Sequence, residues 1–220
     1  MNPLEFIRQH RLVAIVRGLP PEHLLKLGQA LAEGGVGLIE VTFDQRDPAS
    51  WADTARGIET LARALGDRLL VGAGTVIRLE QVRMAYDAGG RYLVTPATQP
   101  EIIRAGKALG LGVFPGAFTA TEILTAYEAG ADAVKVFPAG VAGPGYIQAL
   151  RAPLGHIPLI AVGGVDERNA ADFIRAGCVG VGVGGNLVRK DWIAGGEWGR
   201  ITELARAFVA AVQPQRGVPV

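Results

Sequence analysis

Residues 128–136 read EAGADAVKV, a glycine followed by an apolar run, and this junction recurs at three other places in the chain. These are residues 33–41 (EGGVGLIEV), 87–94 (DAGGRYLV) and 175–183 (RAGCVGVGV). At each junction the glycine is placed to end a helix in the left-handed conformation, and a strand can then begin. Strands that are apolar without alternation are typical of parallel sheets that are buried on both faces. The junctions therefore predict a repeated helix-to-strand unit.

Eight apolar runs of this kind occur, and each is followed by a segment long enough for one helix. The predicted strands are residues 12–16, 38–42, 69–73, 92–95, 112–114, 133–137, 159–162 and 179–183. The predicted helix starts are Pro21, Ala49, Leu79, Gln99, Ala120, Gly145, Glu167 and Gly199. An open doubly wound sheet is the alternative, but its GxGxxG fingerprint is missing after the first strand. The fold class predicted is α/β, a single (β/α)8 TIM barrel that forms one domain over residues 1–220.

The composition excludes several functional classes. With 22 basic and 21 acidic residues the net charge is +1, so no basic surface for a nucleic acid or a membrane is indicated. The single cysteine, Cys178, excludes a disulfide framework, and the three histidines are too scattered to predict a metal site. Residues 1–11 carry charges among their apolar side chains and do not resemble a signal peptide. We expect a cytoplasmic protein with no cofactor, no metal, no nucleic-acid partner and no membrane association.

A lysine interrupts the sixth apolar run. Lys135 is flanked by Val134 and Val136, so from a barrel strand its ammonium group cannot easily reach solvent. Burial lowers the pKa of a lysine, and only the neutral amine attacks a carbonyl to form a Schiff base. The active end of a barrel is where such a residue serves chemistry. The alternative is a structural lysine that extends to the barrel mouth or pairs with an acid on a neighbouring strand.

An acid interrupts the second apolar run in the same way. Glu40 lies between Ile39 and Val41, and a carboxylate without water around it has a raised pKa that suits proton transfer near neutral pH. Its alternative role is that of a buried structural partner for Lys135 or Arg17.

Two further residues are candidates for binding a carboxylate. Arg17 ends the first predicted strand, and its planar guanidinium can hold a carboxylate or a phosphate, or can form an inter-strand salt bridge instead. Thr75 follows the run Gly72-Ala73-Gly74 at the end of the third strand, where the loop amides and the hydroxyl can bind a carboxylate. A tight strand-to-helix turn is the alternative explanation of that run.

Glycine-bearing loops follow the last two strands. Gly163 and Gly164 follow the seventh strand, and Gly184, Gly185 and Asn186 follow the eighth. Loops at these two positions form the phosphate site of many (β/α)8 barrels, because their bare backbone amides can approach the anion closely. The pair therefore predicts a phosphate-binding site in a protein that has no general basic surface.

Together these residues resemble a known family. The matching motifs are residues 40–42 (EVT), 72–76 (GAGTV), 95–96 (TP), 134–139 (VKVFPA) and 163–165 (GGV). In this order, and over residues 12–209, the chain is similar to the 2-keto-3-deoxy-6-phosphogluconate (KDPG) aldolases. The resemblance implies a class I, metal-independent aldolase, usually a homotrimer, on a (β/α)8 barrel. Such an enzyme cleaves a phosphorylated 2-keto-3-deoxy sugar acid to pyruvate and glyceraldehyde 3-phosphate.

The resemblance also implies roles for single residues. Lys135 would be the Schiff-base lysine, Glu40 the general acid and base, and Thr75 a contact of the pyruvyl carboxylate. Pro96 and Phe137, which belong to the matched motifs, join the predicted substrate-binding set with Arg17. The four loop glycines and Asn186 would hold the phosphate.

One position departs from the family pattern. Gluconate-type members carry an arginine and galactonate-type members an asparagine where this chain has Asp44, while the setting of Arg17 looks more like the galactonate type. Asp44 would repel a carboxylate, so we expect it to point elsewhere or to make another contact, with Arg17 supplying the missing charge. The C4 epimer, and activity on 4-hydroxy-2-oxoglutarate, stay open. The alternatives are an isomerase or another lyase that forms no imine, and a non-catalytic phosphosugar-binding protein.

Overall fold

A computed structural model describes residues 2–213. Its strands are β1 (Leu12–Val16), β2 (Leu38–Thr42), β3 (Leu70–Gly74), β4 (Tyr92–Val94), β5 (Gly112–Phe114), β6 (Gly116–Ala117), β7 (Val134–Val136), β8 (Leu159–Val162) and β9 (Gly180–Val183). Its α-helices are α1 (Pro3–His10), α2 (Pro21–Glu33), α3 (Trp51–Leu65), α4 (Leu79–Asp87), α5 (Pro100–Ala108), α6 (Ala120–Glu128), α7 (Ala139–Leu154), α8 (Ala170–Arg175), α9 (Lys190–Ala194) and α10 (Trp198–Val212). A short 3₁₀ helix, Pro48–Ser50, precedes α3.

The junction glycines have the conformation that the sequence predicts. Gly35, Gly89, Gly130 and Gly177 have φ angles of 88°, 82°, 105° and 103°, in the left-handed region. Each ends a helix and is followed by a strand within a few residues. A side chain at these positions would be strained, so glycine defines where each helix stops.

The strands form one parallel sheet that curls into a nearly closed barrel, which confirms the predicted fold class. The strand order is β5-β4-β3-β2-β1-β9-β8-β7-β6, and every pairing is parallel. All eight predicted strands are present, with bounds within one residue of those predicted. A ninth strand, β6, was not predicted. It follows β5 directly, and Pro115 separates the two. Proline has no N–H to donate, while the Pro115 carbonyl accepts a hydrogen bond from the Lys135 amide at 2.8 Å, so the barrel closes across this residue.

The helices differ from the prediction in four places, one of which is the start of α8, at Ala170 and not at Glu167. The predicted start at Gly145 is wrong, because α7 begins at Ala139, directly after β7. Gly143 has non-helical angles within α7, and the part of the helix beyond this kink is what the sequence pattern revealed. The short helices α1 and α9 were not predicted; with eight and five residues they carry little periodic signal.

Two apolar layers surround the sheet. The outer layer lies between the strands and the helices, and a smaller cluster fills the barrel interior. Ile7 of α1 is fully buried in the inner cluster, and a methyl group on Gly180 would lie 2.8 Å from its Cγ1 atom. Because α1 closes the amino end of the barrel, a site can open only at the carboxyl ends of the strands.

Candidate active site

Lys135 and Glu40 both point into the barrel. Strand alternation directs Val134 and Val136 into the outer apolar layer, and the lysine between them faces inward with 8% of its surface exposed. Glu40 has the same setting in β2 and is 4% exposed. The two side chains line one small interior cavity whose other walls are Ile15, Val94, Phe114, Ile160 and similar apolar residues. A base and an acid therefore meet in surroundings that disfavour charge.

The electrostatics of this pair follow from burial. Removal from water raises the pKa of Glu40 to about 7, although the nearby cations of Lys135 and Arg17 act in the opposite direction. Burial likewise lowers the pKa of Lys135, with Glu40 opposing and Arg17 adding to the shift. Among residues 2–213 no ion pair within 4.0 Å joins Glu40 to either cation. Glu40 can thus take up or release a proton near neutral pH without first breaking a direct salt bridge.

The glycines of β3 make room for the acid. A methyl group on Gly74 would lie 2.6 Å from Oε1 of Glu40, so the carboxyl group occupies the space that a side chain would fill. Thr75 follows with a φ of 56°, an uncommon conformation for a β-branched residue. The sequence run GAGT is therefore more than a tight turn, because its glycines shape the wall next to Glu40.

The predicted substrate-binding residues line a larger cavity above this pair. Its volume is about 820 Å³, and Arg17, Thr75, Pro96 and Phe137 lie in its wall with Glu40 and Lys135. The Phe137 ring lies with its centre 5.1 Å from the Lys135 amine. The amine is thus covered on one side and open to the cavity on the other.

A second cavity of about 540 Å³ adjoins the first. The predicted phosphate residues line it: Gly163, Gly164, Gly184, Gly185 and Asn186. The two cavities share walls that include Ile15, Arg17, Phe137 and Val162, so they form one cleft. The structure thus brings all the predicted site residues to the carboxyl ends of the strands. Their chemical roles stay predictions.

Two asparagines fix the glycine loops. Gly163 and Gly164 have φ angles of 87° and 75°, which only glycine adopts freely. The Asn169 amide donates to the Gly164 carbonyl at 2.9 Å, and the Asn186 amide donates to the Val165 carbonyl at 2.8 Å. Asn186 therefore joins the two loops to each other, a structural role that the sequence did not indicate.

Asp44 is neutralised by a neighbour in the sequence. Its carboxylate accepts hydrogen bonds from the Arg46 side chain at 3.0 and 3.2 Å, and from the Arg46 backbone amide at 2.9 Å. These bonds hold the pKa of Asp44 below its usual value. Both residues line the larger cavity, so Arg46 offsets the repulsion that Asp44 alone would exert on an anionic ligand. The other contact that we expected Asp44 to make is therefore its ion pair with Arg46.

Sequence reasoning missed an amide network behind Thr75. The Gln45 amide donates to the Thr75 carbonyl at 2.6 Å, and Gln81, which is fully buried, donates to the Gln45 side chain at 3.0 Å. The Gln81 carbonyl oxygen accepts from the backbone amides of Ile77 and Arg78. The network supports the strained backbone at Thr75. The sequence offers no local signal for it beyond a glutamine at the third position of a helix, which is ordinary there.

Lys190 was also missed. It is exposed at the start of α9, lines both cavities, and donates a hydrogen bond to the Gly18 carbonyl at 3.0 Å. The signal for it is weak, because the residue lies beyond the glycine loop on a helix too short to be predicted.

The remaining reactive groups lie outside the cleft. Cys178 is buried, and burial raises the pKa of its thiol to about 12, so the residue packs in the core and is not a reactive thiol. Within residues 2–213 no group of three or more histidine, cysteine, aspartate or glutamate side chains is arranged to hold a metal ion. None of the helices in the same range is long and apolar enough to cross a bilayer.

Comparison with known proteins shows the family of this chain. The family model described as KDPG and KHG aldolase matches residues 4–204. The 2-dehydro-3-deoxy-6-phosphogalactonate aldolase of Escherichia coli is 41% identical over 201 residues, which are 91% of this chain and 93% of that protein. The 2-dehydro-3-deoxy-phosphogluconate aldolase of Haemophilus influenzae is 31% identical over 212 residues, 96% of each chain.

A solved relative holds a reaction intermediate. The KDPG aldolase of Legionella pneumophila was crystallised with pyruvate captured at low pH as a covalent carbinolamine intermediate. It superposes with a TM-score of 0.84 at 27% identity, over 94% of this chain and 98% of that one.

Proposed function

Since the chain belongs to the KDPG and KHG aldolase family, we propose that its Lys135 forms a Schiff base with the substrate and that Glu40 transfers the protons. As a member of this family the protein is a carbon–carbon lyase that cleaves a 2-keto-3-deoxy-6-phosphosugar acid to pyruvate and glyceraldehyde 3-phosphate. One observation carries the proposal: Lys135 is 8% exposed, beside Glu40, which is 4% exposed, where a substrate cleft opens.

The first step makes the carbon–nitrogen bond. Burial lowers the pKa of Lys135, so a larger share of the amine is neutral and can attack the C2 ketone of the substrate. The resulting carbinolamine loses water to give an iminium ion. The pyruvate adduct of the Legionella relative is a carbinolamine of this kind, which supports the scheme.

The second step breaks the C3–C4 bond. Glu40 in its ionised form takes the proton of the C4 hydroxyl, and the bonding electrons pass to the iminium nitrogen of Lys135, leaving an enamine and a free aldehyde. The protonated Glu40 then returns a proton to C3. Water hydrolyses the iminium and releases pyruvate and the amine. A pKa of about 7 suits Glu40 to both roles, since each protonation state is well populated near neutral pH.

The ends of the substrate are anionic, and the cleft offers a separate site for each. We assign the carboxylate to Thr75 and Arg17, and the phosphate to the glycine loops after β8 and β9. Lys135 lines the same cavity as Thr75 and Arg17, and Phe137, which covers its amine, also lines the phosphate cavity, so a six-carbon acid bound at both ends can reach the amine with C2.

Borohydride trapping tests the proposed function. With pyruvate and borohydride, Lys135 should gain one reduced pyruvyl group, detected by peptide mass spectrometry. An unmodified Lys135, under conditions that label a known class I aldolase, would favour a lyase or isomerase that forms no imine. Turnover is measured separately, by coupling pyruvate release to its reduction.

The phosphate assignment predicts a selective effect of Gly185→Ala. A methyl group there meets no atom within 4 Å, so the fold should be unchanged, but Gly185 lines the phosphate cavity and the substitution adds bulk to its wall. We expect KM for the phosphorylated substrate to rise about tenfold, because a charged hydrogen-bonded contact is disturbed. Pyruvate trapping should be unaffected.

Gly199→Ala is the matched control for this prediction. Its methyl group also meets no atom within 4 Å, and it lies on α10, away from the cleft. It should leave KM unchanged. An equal effect of both substitutions, or none from Gly185→Ala, would contradict the assignment of the loop to phosphate binding.

The family resemblance also leads us to propose a homotrimer. Apolar side chains that are exposed on α4 and α6 support an assembly that covers them: Leu79, Tyr86, Leu124 and Tyr127. Light scattering on the eluting protein should give a mass of about 69 kDa, three times the chain mass of 23.0 kDa. A mass of one chain at micromolar concentration would refute the trimer.

We also propose a cytoplasmic location. The single cysteine is buried and free, which is in keeping with a reducing compartment.

A further inference from the structure

Tyr92 carries a buried hydroxyl group that has no partner. The side chain is 0% exposed in the interior cluster of the barrel, and no hydrogen-bond partner for its oxygen is found among residues 2–213. The ring packs against Phe114, with 5.5 Å between the ring centres. A phenylalanine would pack in the same way without burying an unsatisfied polar atom, so the hydroxyl group calls for an explanation.

The strand register places this hydroxyl group near Glu40. Glu40 on β2 is level with Gly72 on β3, and Gly72 is level with Tyr92 on β4. A methyl group on Gly72 would lie 2.5 Å from Cζ of Tyr92 and 2.6 Å from the adjacent ring carbons. The hydroxyl end of the ring therefore lies over Gly72, on the way from β4 to β2.

The carboxyl group of Glu40 occupies the next inward position on the same strand. It lies over Gly74, two residues beyond Gly72 and on the same face of β3. The phenol is thus directly beneath the carboxyl group, on the side that faces the amino end of the barrel. Two glycines on β3 leave both spaces open, and the negative charge of Glu40 adds to burial in raising the pKa of Tyr92, as expected for neighbouring groups.

The other neighbours of Glu40 are accounted for. Lys135 on β7 and Arg17 after β1 are the cations that act on its carboxyl group. On β1, the residue level with Glu40 is Ile15, which is apolar. Thr42, two residues on in β2, lies beside the carboxyl group on the side of the carboxyl end of the barrel, since a methyl group on Gly74 would also lie 2.8 Å from its Cγ2 atom. Tyr92 is the uncharged donor on the opposite side, toward the amino end.

We propose that Tyr92 is a positioning residue for the aldol reaction, whose hydroxyl group donates a hydrogen bond to the ionised carboxylate of Glu40 as that carboxylate turns from Gly74 toward Gly72. The bond holds the carboxylate in place between its two proton transfers, at C4 and at C3. The inference rests on the proton-transfer role proposed for Glu40. It adds a residue that acts through Glu40 and does not touch the substrate.

Tyr92→Phe tests this inference, because it removes one oxygen atom and keeps the ring. We expect kcat to fall about tenfold while KM stays the same, since the lost bond is to the catalytic acid and not to the substrate. The pH limb assigned to Glu40 should move upward by about one unit, because a donor that favours the ionised form is gone. The melting temperature should not fall. Unchanged kcat and pH limb would overturn the proposal and leave Tyr92 as packing alone.

Two further variants complete the test. Tyr86→Phe removes a hydroxyl group from α4, on the face assigned to the trimer and away from the cleft, and should leave kcat and the pH limb unchanged. In a Glu40→Gln background, Tyr92→Phe should cause no additional loss, whereas independent, additive losses would overturn a role through Glu40. Pyruvate trapping at Lys135 should persist in Tyr92→Phe. Failure of trapping in the wild type would instead refute the proposed function, so the two failures are distinguishable.

Discussion

Replacement of Lys135 with methionine is expected to lower kcat for aldol cleavage by more than about 10⁴-fold, because the covalent route is closed and not merely slowed. Methionine has a similar length, fills the same space and cannot form an imine. Since the lysine is buried away from a direct ion pair, its loss should not lower the melting temperature. Borohydride and pyruvate should label the wild type at residue 135 and leave the variant unlabelled.

Two lysines serve as controls for this result. Lys26→Met changes an exposed residue of α2 and should be labelled and active like the wild type. Lys190 lines the same cleft, so it is the lysine that could take over an adduct if the assignment is wrong. Labelling at Lys190, or cleavage by Lys135→Met within tenfold of the wild type, would contradict the role of Lys135.

The barrel could be predicted because its signals are local. A glycine that must adopt a left-handed angle, as Gly130 does, and an apolar run directly after it lie within nine residues of one another. The break at Pro115 has a local cause as well, but its effect on strand pairing depends on where the Lys135 amide lies in space. The short helix α9 depends on packing alone and left no periodic pattern.

The residues of the candidate site likewise fall into those with a local signal in the sequence and those without one. Lys135 and Glu40 could be found because a charged residue in an apolar strand is visible in the sequence and the fold places strand ends together. Gln45, Gln81 and Tyr92 could not, since a glutamine or a tyrosine is ordinary in its local setting. Their roles depend on partners that are distant in the chain: Gln45, for example, donates a hydrogen bond to Thr75, 30 positions away. Prediction therefore failed where a residue of ordinary type depends on partners that are distant in the chain.

Replacement of Glu40 with glutamine is expected to lower kcat by about 10²- to 10⁴-fold, the range that a general acid or base contributes. The amide has the same shape but cannot accept and return a proton. Imine formation at Lys135 should survive, so pyruvate trapping continues while turnover nearly stops. Glu80→Gln, on the exposed surface of α4, is the matched control and should behave like the wild type.

The pH dependence of Glu40→Gln gives the sharper outcome. In the wild type, kcat/KM should rise with pH through about 7, because the ionised carboxylate takes the C4 proton and its pKa is raised to that value by burial. The raised pKa also means that the folded protein loses stability as pH rises from the ordinary value of 4.5 to about 7, since the unfolded chain ionises first. Both effects should vanish together in the glutamine variant. A limb near pH 7 that persists there would assign the titration to another group, and Glu40 would then be a structural partner of the buried lysine.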